Sequence, residues 1–227
     1  RIAIQLWGVE TIRHEGVQES QALALLGVRL KRSERSGRVT GVELIPRAEL
    51  GRPRVDVVLH ATSLYRDTFP ILLTLLDRAV QLAAAAPEED NPVRANVEAL
   101  AGQLVKEQGM APAEARRRAR VRVFCEPSGR HDSKVAWMAS ASGSWETEDQ
   151  FADNWIRRMS FGYGSGFWGE PMQAEFRSAL AGTEAIVHTR STKLYGTLDN
   201  DDYFSYGGSI AIGLADGNFQ LNRQPGW

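Results

Sequence analysis

Val55-Asp56-Val57-Val58-Leu59 is a nearly continuous β-branched and aliphatic run, and it decides the fold class. A run of this kind is typical of a strand that is buried on both faces of a parallel sheet. A second short apolar run, Ile2–Leu6, lies near the start of the chain. Both runs predict strands of a sheet that other elements must cover.

The helix that follows the first run is the clearest element in the sequence. Its apolar residues keep the spacing i, i+3, i+4, i+7 of one helical face. They are Phe69, Leu72, Leu73, Leu76, Val80 and Ala83. Thr68 is expected to cap this helix, and Pro70 suits its first turn. Further helices are predicted after Pro92 and over residues 112–118, and a strand over residues 121–124.

Strands that alternate with helices of this length indicate a parallel or mixed sheet with helices packed against it. We therefore expect an α/β fold with Rossmann-like layers and a more irregular, helical C-terminal part. Residues 1–126 are expected to form the α/β sheet region. Residues 127–227 are expected to form a helical and loop-rich region packed on it, unless both regions belong to one domain. This second region holds predicted helices at 146–159 and 170–180 and a strand at 185–188.

Gly164-Ser165-Gly166-Phe167-Trp168-Gly169 formally matches the dinucleotide fingerprint G-x-G-x-x-G. That fingerprint requires a strand before it and a helix N-terminus at the phosphates. Here the preceding element is a predicted helix, and the two aromatic side chains would crowd a pyrophosphate. The stretch is therefore interpreted as a glycine-rich connector.

Charge balance and cysteine content exclude several classes of protein. The 227 residues carry 27 Lys+Arg and 28 Asp+Glu, a formal net charge of −1, which argues against a nucleic-acid partner. No apolar stretch approaches the roughly 18 residues that cross a bilayer, so no membrane partner is expected. The single cysteine, Cys125, fits a reducing, cytoplasmic compartment. Because the chain starts without Met, we expect it to be a piece of a longer polypeptide.

Ligand-facing residues are expected where the strands end. In open α/β sheets the carboxyl ends of the strands border the ligand crevice, and His60 and His188 each end a predicted strand. Arg66 follows the central strand, close to a helix whose N-terminus points into the same crevice. Two roles stay open for Arg66: it clamps a ligand carboxylate bidentately, or it pairs with Asp67 and caps the helix.

A second segment, residues 194–208, combines acidic and aromatic side chains. It fails as a calcium loop because Tyr203 and Phe204 stand where an oxygen ligand and a sharp-turn glycine are required. The combination suits a flat, partly apolar ligand that exchanges protons or meets a hard cation, and the alternative is an acidic surface turn with packed tyrosines. We expect the segment to fold back toward Arg66, so that both border one hollow.

These two segments belong to a longer series of motifs. The series is LWGVETIRHEG at 6–16, VELIP at 42–46, ELGRPRVDVV at 49–58, YRDTFP at 65–70, LDRAV at 76–80, LY at 194–195, DDYF at 201–204 and GG at 207–208. In this order and spacing the chain resembles the large subunit of cobaltochelatase and of the related magnesium chelatase. The likeness spans essentially the whole chain and departs from the family pattern at residues 129–132 and over the last dozen residues.

The resemblance implies a C-terminal-side segment of a tetrapyrrole-binding subunit that inserts Co²⁺ into a corrin precursor, hydrogenobyrinic acid a,c-diamide. It also implies an AAA+ ATPase motor subunit and its adaptor subunit as partners. No P-loop G-x-x-x-x-G-K-[ST] occurs in the chain, so the partner subunits would hydrolyse the ATP. Two alternatives stay open: a magnesium chelatase H subunit that inserts Mg²⁺ into protoporphyrin IX, and a non-catalytic docking domain of such a subunit.

The same resemblance, together with the chemistry of metal insertion, implies roles for individual residues. Carboxylates can accept the inner N–H protons of the macrocycle and pass on a cation. The residues expected to do so are Glu10, Asp199, Asp201 and Asp202, with Asp201, Asp202 and His14 as metal ligands. The residues expected to bind the macrocycle are Tyr195, Tyr203, Phe204 and Tyr206 against the ring, and Arg13 and Arg66 at its carboxylates.

Overall fold

The central strand predicted at residues 55–59 is present, two residues further on, in the computed structural model, which describes residues 1–188 other than 142, 144 and 148. The strands are β1 (Ile2–Leu6), β2 (Val28–Arg32), β3 (Val39–Leu44), β4 (Val57–Ala61), β5 (Val123–Cys125), β6 (Phe161–Gly164), β7 (Phe167–Pro171) and β8 (Ala185–Val187). The helices are α1 (Gly8–Arg13), α2 (Val17–Leu26), α3 (Arg47–Leu50), α4 (Ser63–Thr68), α5 (Pro70–Ala85), α6 (Pro92–Gln108), α7 (Pro112–Ala119), α8 (Val135–Ser140), α9 (Asp149–Met159) and α10 (Gln173–Ala181). None of the helices within these described ranges combines the length and apolarity needed to cross a bilayer.

Among residues 1–188, six strands form one mixed sheet in the order β7-β6-β5-β4-β1-β8. β8, β1, β4 and β5 are parallel to one another. β6 is antiparallel to β5, and β7 is antiparallel to β6. β1 and β4 pair in register from Ile2 opposite Val57 to Leu6 opposite Ala61, and β2 and β3 form a separate hairpin. The expected α/β fold, with helices against a parallel or mixed sheet, is confirmed.

Helices cover both faces of the sheet because successive side chains of β1 and β4 point to opposite sides. On one face Ile4 and Leu59 belong to an apolar cluster with α2, α5, α6 and α7. On the other face Ala3, Val58 and Phe124 belong to a cluster with α8, α9 and α10. Every residue of β4 is buried, which explains the nearly uninterrupted apolar run of its sequence.

The ends of α2 and α6 follow local signals in the sequence. The Asn91 side chain accepts hydrogen bonds from the N–H groups of Val93 (3.1 Å) and Arg94 (3.3 Å), and Pro92 occupies the first turn of α6. Gly27 closes α2 in the left-handed conformation, with a φ of 67°. These caps satisfy backbone groups that a helix leaves without intrahelical partners.

The predicted N-cap of α5 is wrong. Thr68 is the last residue of α4, and α5 begins at Pro70 with Phe69 at its N-cap and no side-chain cap. Thr62 caps α4 instead, by accepting a hydrogen bond from the Tyr65 N–H at 3.3 Å. The apolar periodicity runs through the break between the two helices, so it does not reveal a separate helix before α5.

The glycine-rich stretch, interpreted above as a connector, is the turn of a β-hairpin, and the strand β6 rather than a helix directly precedes it. β6 and β7 are joined at Ser165 (φ 55°) and Gly166 (φ 84°), two residues in the left-handed region that a tight hairpin turn requires. A Cβ atom on Gly164 would lie 2.4 Å from Asp77 Oδ1, and the Ser165 N–H donates to Asp77 Oδ2 at 3.0 Å. The turn therefore packs against α5, and no helix N-terminus follows it to hold a pyrophosphate.

The division of the chain at residues 126 and 127 stays a prediction. Strands from both sides of that position belong to the same sheet, since β5 pairs with β6 and β1 pairs with β8. The residues after 188 lie outside the described ranges, so the second region is described only in part.

Asp56 joins four segments at the amino end of the sheet. Its carboxylate accepts hydrogen bonds from Arg122 Nε (2.9 Å), Arg1 Nε (2.9 Å) and Asn96 Nδ2 (2.8 Å). Asp56 and Arg122 are each 2% exposed. Burial alone would raise the pKa of Asp56, but the two arginines and the Asn96 amide outweigh it and hold the pKa below its usual value.

Replacing Asp56 is expected to destabilise the fold strongly. Asp56→Asn leaves Arg122 buried without a counter-charge, a change that costs about 3–5 kcal/mol of unfolding free energy. Because the folded chain lowers the pKa of Asp56, its contribution is complete above about pH 4 and is lost as the pH falls further. Urea unfolding from pH 7 to pH 2.5 measures both effects.

The matched control for that measurement is Asp90→Asn, which breaks an exposed ion pair with Arg47. Its effect is expected to be much smaller, because exposed pairs are screened by water. Equal stability of the Asp56 variant and the wild type would contradict the assignment of Asp56 as the centre of this network.

Candidate functional site

Four parallel strands end along one edge of the sheet, and the segments that follow them form the candidate site. β1 leads into α1, β4 into α4, β5 into a loop that begins at Glu126, and β8 into His188. In open α/β sheets ligands bind at this edge, outside the carboxyl ends of the strands. We call it the carboxyl edge.

α1 and α4 begin side by side because Gly8 lets their backbones approach. A Cβ atom on Gly8 would lie 3.0 Å from Leu64 Cγ and 3.2 Å from the backbone nitrogen of Tyr65. The Thr62 N–H donates to the carbonyl of Leu6 at 3.0 Å, which joins the ends of β1 and β4. The two helix starts are therefore held together at the centre of the carboxyl edge.

A carboxylate from α1 and an imidazole from the end of β8 meet at this edge. Glu10 is 7% exposed, and its Oε1 accepts a hydrogen bond from Arg13 Nη1 at 2.9 Å. The His188 ring lies edge-on to Trp7, with centroids 4.9 Å apart, and its Nδ1 is 2.7 Å from Gln5 Oε1. Because an amide oxygen only accepts, Nδ1 carries the hydrogen and Nε2 carries the lone pair.

His188 is a neutral group at neutral pH. Burial lowers its pKa to about 4, and the neighbouring Glu10 carboxylate opposes this shift in part. A neutral imidazole is a ligand for divalent transition metals, and a carboxylate beside it provides a proton acceptor. The pair can therefore take up protons and hold a cation briefly.

His60, the other strand-end histidine, is not in the crevice. It is the fourth residue of β4 and lies among aromatic rings, 5.1 Å from the Trp155 ring and 6.3 Å from the Phe176 ring between centroids. Burial lowers its pKa to about 3, so the ring is neutral, and neither ring nitrogen has a hydrogen-bond partner among the described residues. His60 is therefore part of the core beneath α9 and α10.

Arg66 is engaged inside the protein. Its side chain is 1% exposed, and Nε and Nη2 donate to the Asp67 carboxylate at 2.7 and 2.9 Å. Nη1 donates to the carbonyls of Glu126 (2.8 Å) and Pro127 (3.1 Å). Of the two roles predicted for Arg66, this geometry favours the pair with Asp67, and it adds a contact that holds the exit of β5. Binding of a ligand carboxylate by Arg66 stays a prediction.

The loop after β5 is held by a buried carboxylate. Glu126 Oε2 accepts a hydrogen bond from the thiol of Cys125 (3.0 Å), and its Oε1 accepts one from the N–H of Asp132 (3.3 Å). Burial raises the pKa of the Cys125 thiol, and Glu126 raises it further, so Cys125 is protonated and not a nucleophile. The Tyr163 hydroxyl donates to the Glu126 carbonyl at 2.7 Å.

His14 and Arg13 lie at the end of α1. His14 Nδ1 accepts a hydrogen bond from the Val17 N–H at 3.1 Å, so Nε2 carries the hydrogen, and it has no partner among the described residues. Metal binding through His14 Nε2 therefore requires the other tautomer. The Arg13 side chain is 55% exposed and can reach a ligand while it pairs with Glu10. The roles predicted for both residues stay predictions.

The other predicted site residues lie outside the described residues. They are Tyr195, Asp199, Asp201, Asp202, Tyr203, Phe204 and Tyr206. The expectation that their segment borders a hollow with Arg66 lies outside them too. Within the described ranges, no group of three or more His, Cys, Asp or Glu side chains is placed to hold a metal ion.

Sequence reasoning places His188 at a strand end but assigns it no role, and it does not identify Gln5 or Trp7. One signal was available, because Gln5 is a polar residue inside an apolar strand. A fully buried glutamine needs a partner, and here that partner is the imidazole of His188.

The family model described as CobN/Magnesium Chelatase matches residues 1–215. The chain belongs to this family. The aerobic cobaltochelatase subunit CobN of Pseudomonas aeruginosa is 36% identical over 212 residues, which is 92% of this chain and 17% of that protein. The H subunit of the magnesium chelatase of Rhodobacter capsulatus is 35% identical over 213 residues, again 92% and 17%.

The catalytic subunit of cobaltochelatase from Mycobacterium tuberculosis has a similar structure. The TM-score is 0.83 at 31% identity, and the match covers 94% of this chain and 18% of that one. This chain therefore spans less than a fifth of the length of these relatives. Two of the motifs that carry the resemblance to the CobN/magnesium chelatase family, residues 6–16 and 65–70, lie at the carboxyl edge.

The protonation of His188 can be measured directly by NMR. Its imidazole is expected to titrate near pH 4, because burial disfavours the charged ring. Glu10→Gln is expected to lower this pKa further, because it removes the negative charge that stabilises the imidazolium. A His188→Gln variant assigns the resonance, and a midpoint near 6.5 in the wild type would contradict the buried placement of the ring.

Proposed function

We propose that this chain forms the tetrapyrrole-facing part of a chelatase large subunit that inserts Co²⁺ into hydrogenobyrinic acid a,c-diamide. Membership of the CobN/magnesium chelatase family supports metal insertion in general. The likeness to cobaltochelatase subunits in both sequence and structure supports the cobalt branch. The magnesium branch, in which Mg²⁺ enters protoporphyrin IX, is the runner-up because H subunits match at similar identity.

One observation supports this proposal above the others: Glu10 and the neutral imidazole of His188 come together at the carboxyl edge. The two residues are 178 positions apart in the chain; Glu10 is buried, and His188 is half-buried against Trp7 and Gln5. A buried carboxylate beside a neutral imidazole is the kind of pair that enzymes use to move protons.

Metal insertion needs three things from the protein. The macrocycle must be held, two inner N–H protons must leave, and the cation must exchange its water ligands for ring nitrogens. Glu10 is proposed to accept a proton, and Arg13, which donates a hydrogen bond to its Oε1, holds that carboxylate in place. His188 is proposed to help orient the incoming cation as a neutral nitrogen ligand.

The acidic and tyrosine-rich segment is proposed to complete this site. Asp199, Asp201 and Asp202 would supply hard oxygen ligands and further proton acceptors, with His14 as an added metal ligand. Tyr195, Tyr203, Phe204 and Tyr206 would contact the ring, as aromatic side chains do in pockets for flat ligands. In support, His188 lies at the carboxyl edge and the segment follows it after only a few residues of chain.

Partners and location follow from the same proposal. The AAA+ motor subunit and its adaptor subunit would supply ATP hydrolysis, since the chain has no P-loop sequence. A single cysteine, buried and protonated, suits a reducing cytoplasmic compartment. The inserted metal is substrate, and no resident cofactor is proposed.

The proposal is tested by Glu10→Gln in the full-length large subunit, assayed with both partner subunits, ATP and Co²⁺. Loss of the proton acceptor is expected to lower kcat for metallation about 10²-fold, with the Kd for the macrocycle unchanged. Asp201→Ala combined with Asp202→Ala is expected to abolish metallation while ring binding persists. The absorption spectrum of the macrocycle reports both quantities.

Glu107→Gln, an exposed carboxylate on α6, is the control for that assay. It is expected to leave kcat and Kd unchanged. Metallation at the wild-type rate by Glu10→Gln would remove Glu10 from the reaction. Repeating the assay with Mg²⁺ and protoporphyrin IX separates the two branches of the family.

An apolar groove supports a second candidate, the docking domain. The groove has a volume of about 830 Å³ and lies between the α1–α2 turn, the β2–β3 hairpin and α5. Ile12 (64% exposed), Val39 (42%) and Ile71 (80%) border it. Exposed apolar surface of this extent is typical of a protein contact. Capture of the motor subunits by a full-length protein that binds no macrocycle would favour this function.

A further inference from the structure

A concave surface with three cations and a tryptophan lies beside the loop that leaves β5. Its volume is about 530 Å³, and we call it the basic pocket. It is lined by Lys134, Trp137, Met138, Asn154, Arg157 and Arg158. None of these residues belongs to the motifs that carry the family resemblance or to the site proposed above.

The basic pocket opens near the carboxyl edge. Lys134 ends the loop that begins at Glu126, and Arg157 and Arg158 lie in the last turn of α9. α9 leads into β6, whose first residue, Phe161, pairs with Cys125 at the end of β5. The cations therefore stand at the same end of the sheet as Glu10 and His188, on the side covered by α8 and α9.

Within the part of the chain that the structure describes, acidic side chains neutralise the charges of this pocket only in part. Within the described residues, no acidic side chain forms an ion pair with Arg157 or Arg158. Lys134 pairs only with Asp132, at 3.0 Å, and that side chain is 40% exposed. By contrast, all three guanidinium nitrogens of Arg66 donate to protein acceptors. A carboxylate that reaches this edge thus meets cations in the basic pocket that are less engaged by the described residues than Arg66 is.

Buried contacts hold the basic pocket in shape. Asn154 is 7% exposed; its Nδ2 donates to the Ser133 carbonyl (3.1 Å), and its Oδ1 accepts from Arg158 Nε (3.2 Å). Lys134 has a φ of 61°, a left-handed conformation that is uncommon for a residue with a side chain.

Trp137 adds a flat apolar surface beside these charges. Its side chain is 62% exposed, whereas Val135 of the same helix is buried in the apolar cluster that includes α9. Cations at the end of a helix are favoured by its dipole, which accounts for Arg157 and Arg158 alone. The helix dipole does not account for Lys134, which comes from another element, or for the solvent-exposed indole of Trp137. A ligand that carries an anionic group on a flat apolar ring would contact the three cations and the indole together.

We propose that the basic pocket binds the peripheral carboxylates of the tetrapyrrole substrate, with the Trp137 indole against the adjoining edge of the ring. This subsite rests on the proposed function. Arg157 and Arg158 would form bidentate hydrogen bonds with carboxylate oxygens, and Lys134 would add a point charge. The pocket would thereby fix which edge of the macrocycle faces Glu10 and His188.

The test compares the free-acid macrocycle with its methyl ester, in which the carboxylates have no charge. Binding to the full-length large subunit is followed by the absorption shift of the macrocycle. Arg157→Gln with Arg158→Gln is expected to weaken binding of the free acid at least about tenfold and to leave the ester unchanged. Trp137→Ala is expected to weaken binding of both, because stacking does not depend on the charge.

Arg116→Gln with Arg117→Gln on α7 is the matched control, since it removes the same charge from an exposed face elsewhere. It is expected to bind both ligands like the wild type. Wild-type affinity of the Arg157 and Arg158 variant for the free acid would overturn the subsite while leaving the proposed function intact. Loss of motor-subunit binding in that variant, with unchanged affinity for the macrocycle, would instead assign the pocket to a protein partner. A wild type that binds neither ligand would overturn both proposals.

Discussion

Parallel pairing of β1 with β4 is the constraint on which the rest of the molecule depends. Since β8, β1, β4 and β5 run in the same direction, all four chain exits fall on one edge, whatever follows each strand in sequence. This is how residues as distant as Glu10 and His188 come to share one environment. Because both faces of β4 are apolar, helices must cover both sides of the sheet. Polar groups that bind a ligand are therefore placed at the carboxyl edge.

Buried charges stand beyond both ends of β4. Asp56 precedes it and binds Arg122, just before β5, while Arg66 follows it and binds the carbonyls just after β5. Each buried ion is costly to desolvate, and the cost is offset only because several hydrogen bonds satisfy it. Together they fix β5, which has only three residues, at both its ends. The loop that shapes the basic pocket therefore starts from a fixed point.

Much of this fold was predictable because its signals are local. The strand at β1, the helix α6 after Pro92, and the layered α/β class follow from apolar runs, from the alternation of strands and helices, and from Pro at a helix start. The break between α4 and α5 and the hairpin at β6 and β7 were not predictable in this way. The apolar spacing continues across the break between α4 and α5. The hairpin turn contacts Asp77 of α5, which is distant in the sequence.

The site was less predictable, since it depends on contacts between distant parts of the chain. For Arg66 the sequence leaves both a ligand clamp and a pair with Asp67 open, and nothing local reveals that two carbonyls 60 and 61 positions away also engage it. His188 shows only as a strand end, and its neutrality comes from burial by neighbours distant in the chain. Of the cations in the basic pocket, Arg157 and Arg158 are adjacent in the sequence. Lys134 lies beside them only because of the way the loop after β5 folds.

The central claim is that the carboxyl edge of this sheet faces the macrocycle. Hydrogen–deuterium exchange of the full-length large subunit, with and without the corrin precursor, tests it most directly. The account predicts slower exchange at residues 7–14 and 126–138 when the macrocycle is bound, and no change at residues 51–55, which lie at the opposite edge. Slower exchange at residues 51–55, with residues 7–14 and 126–138 unaffected, would contradict it.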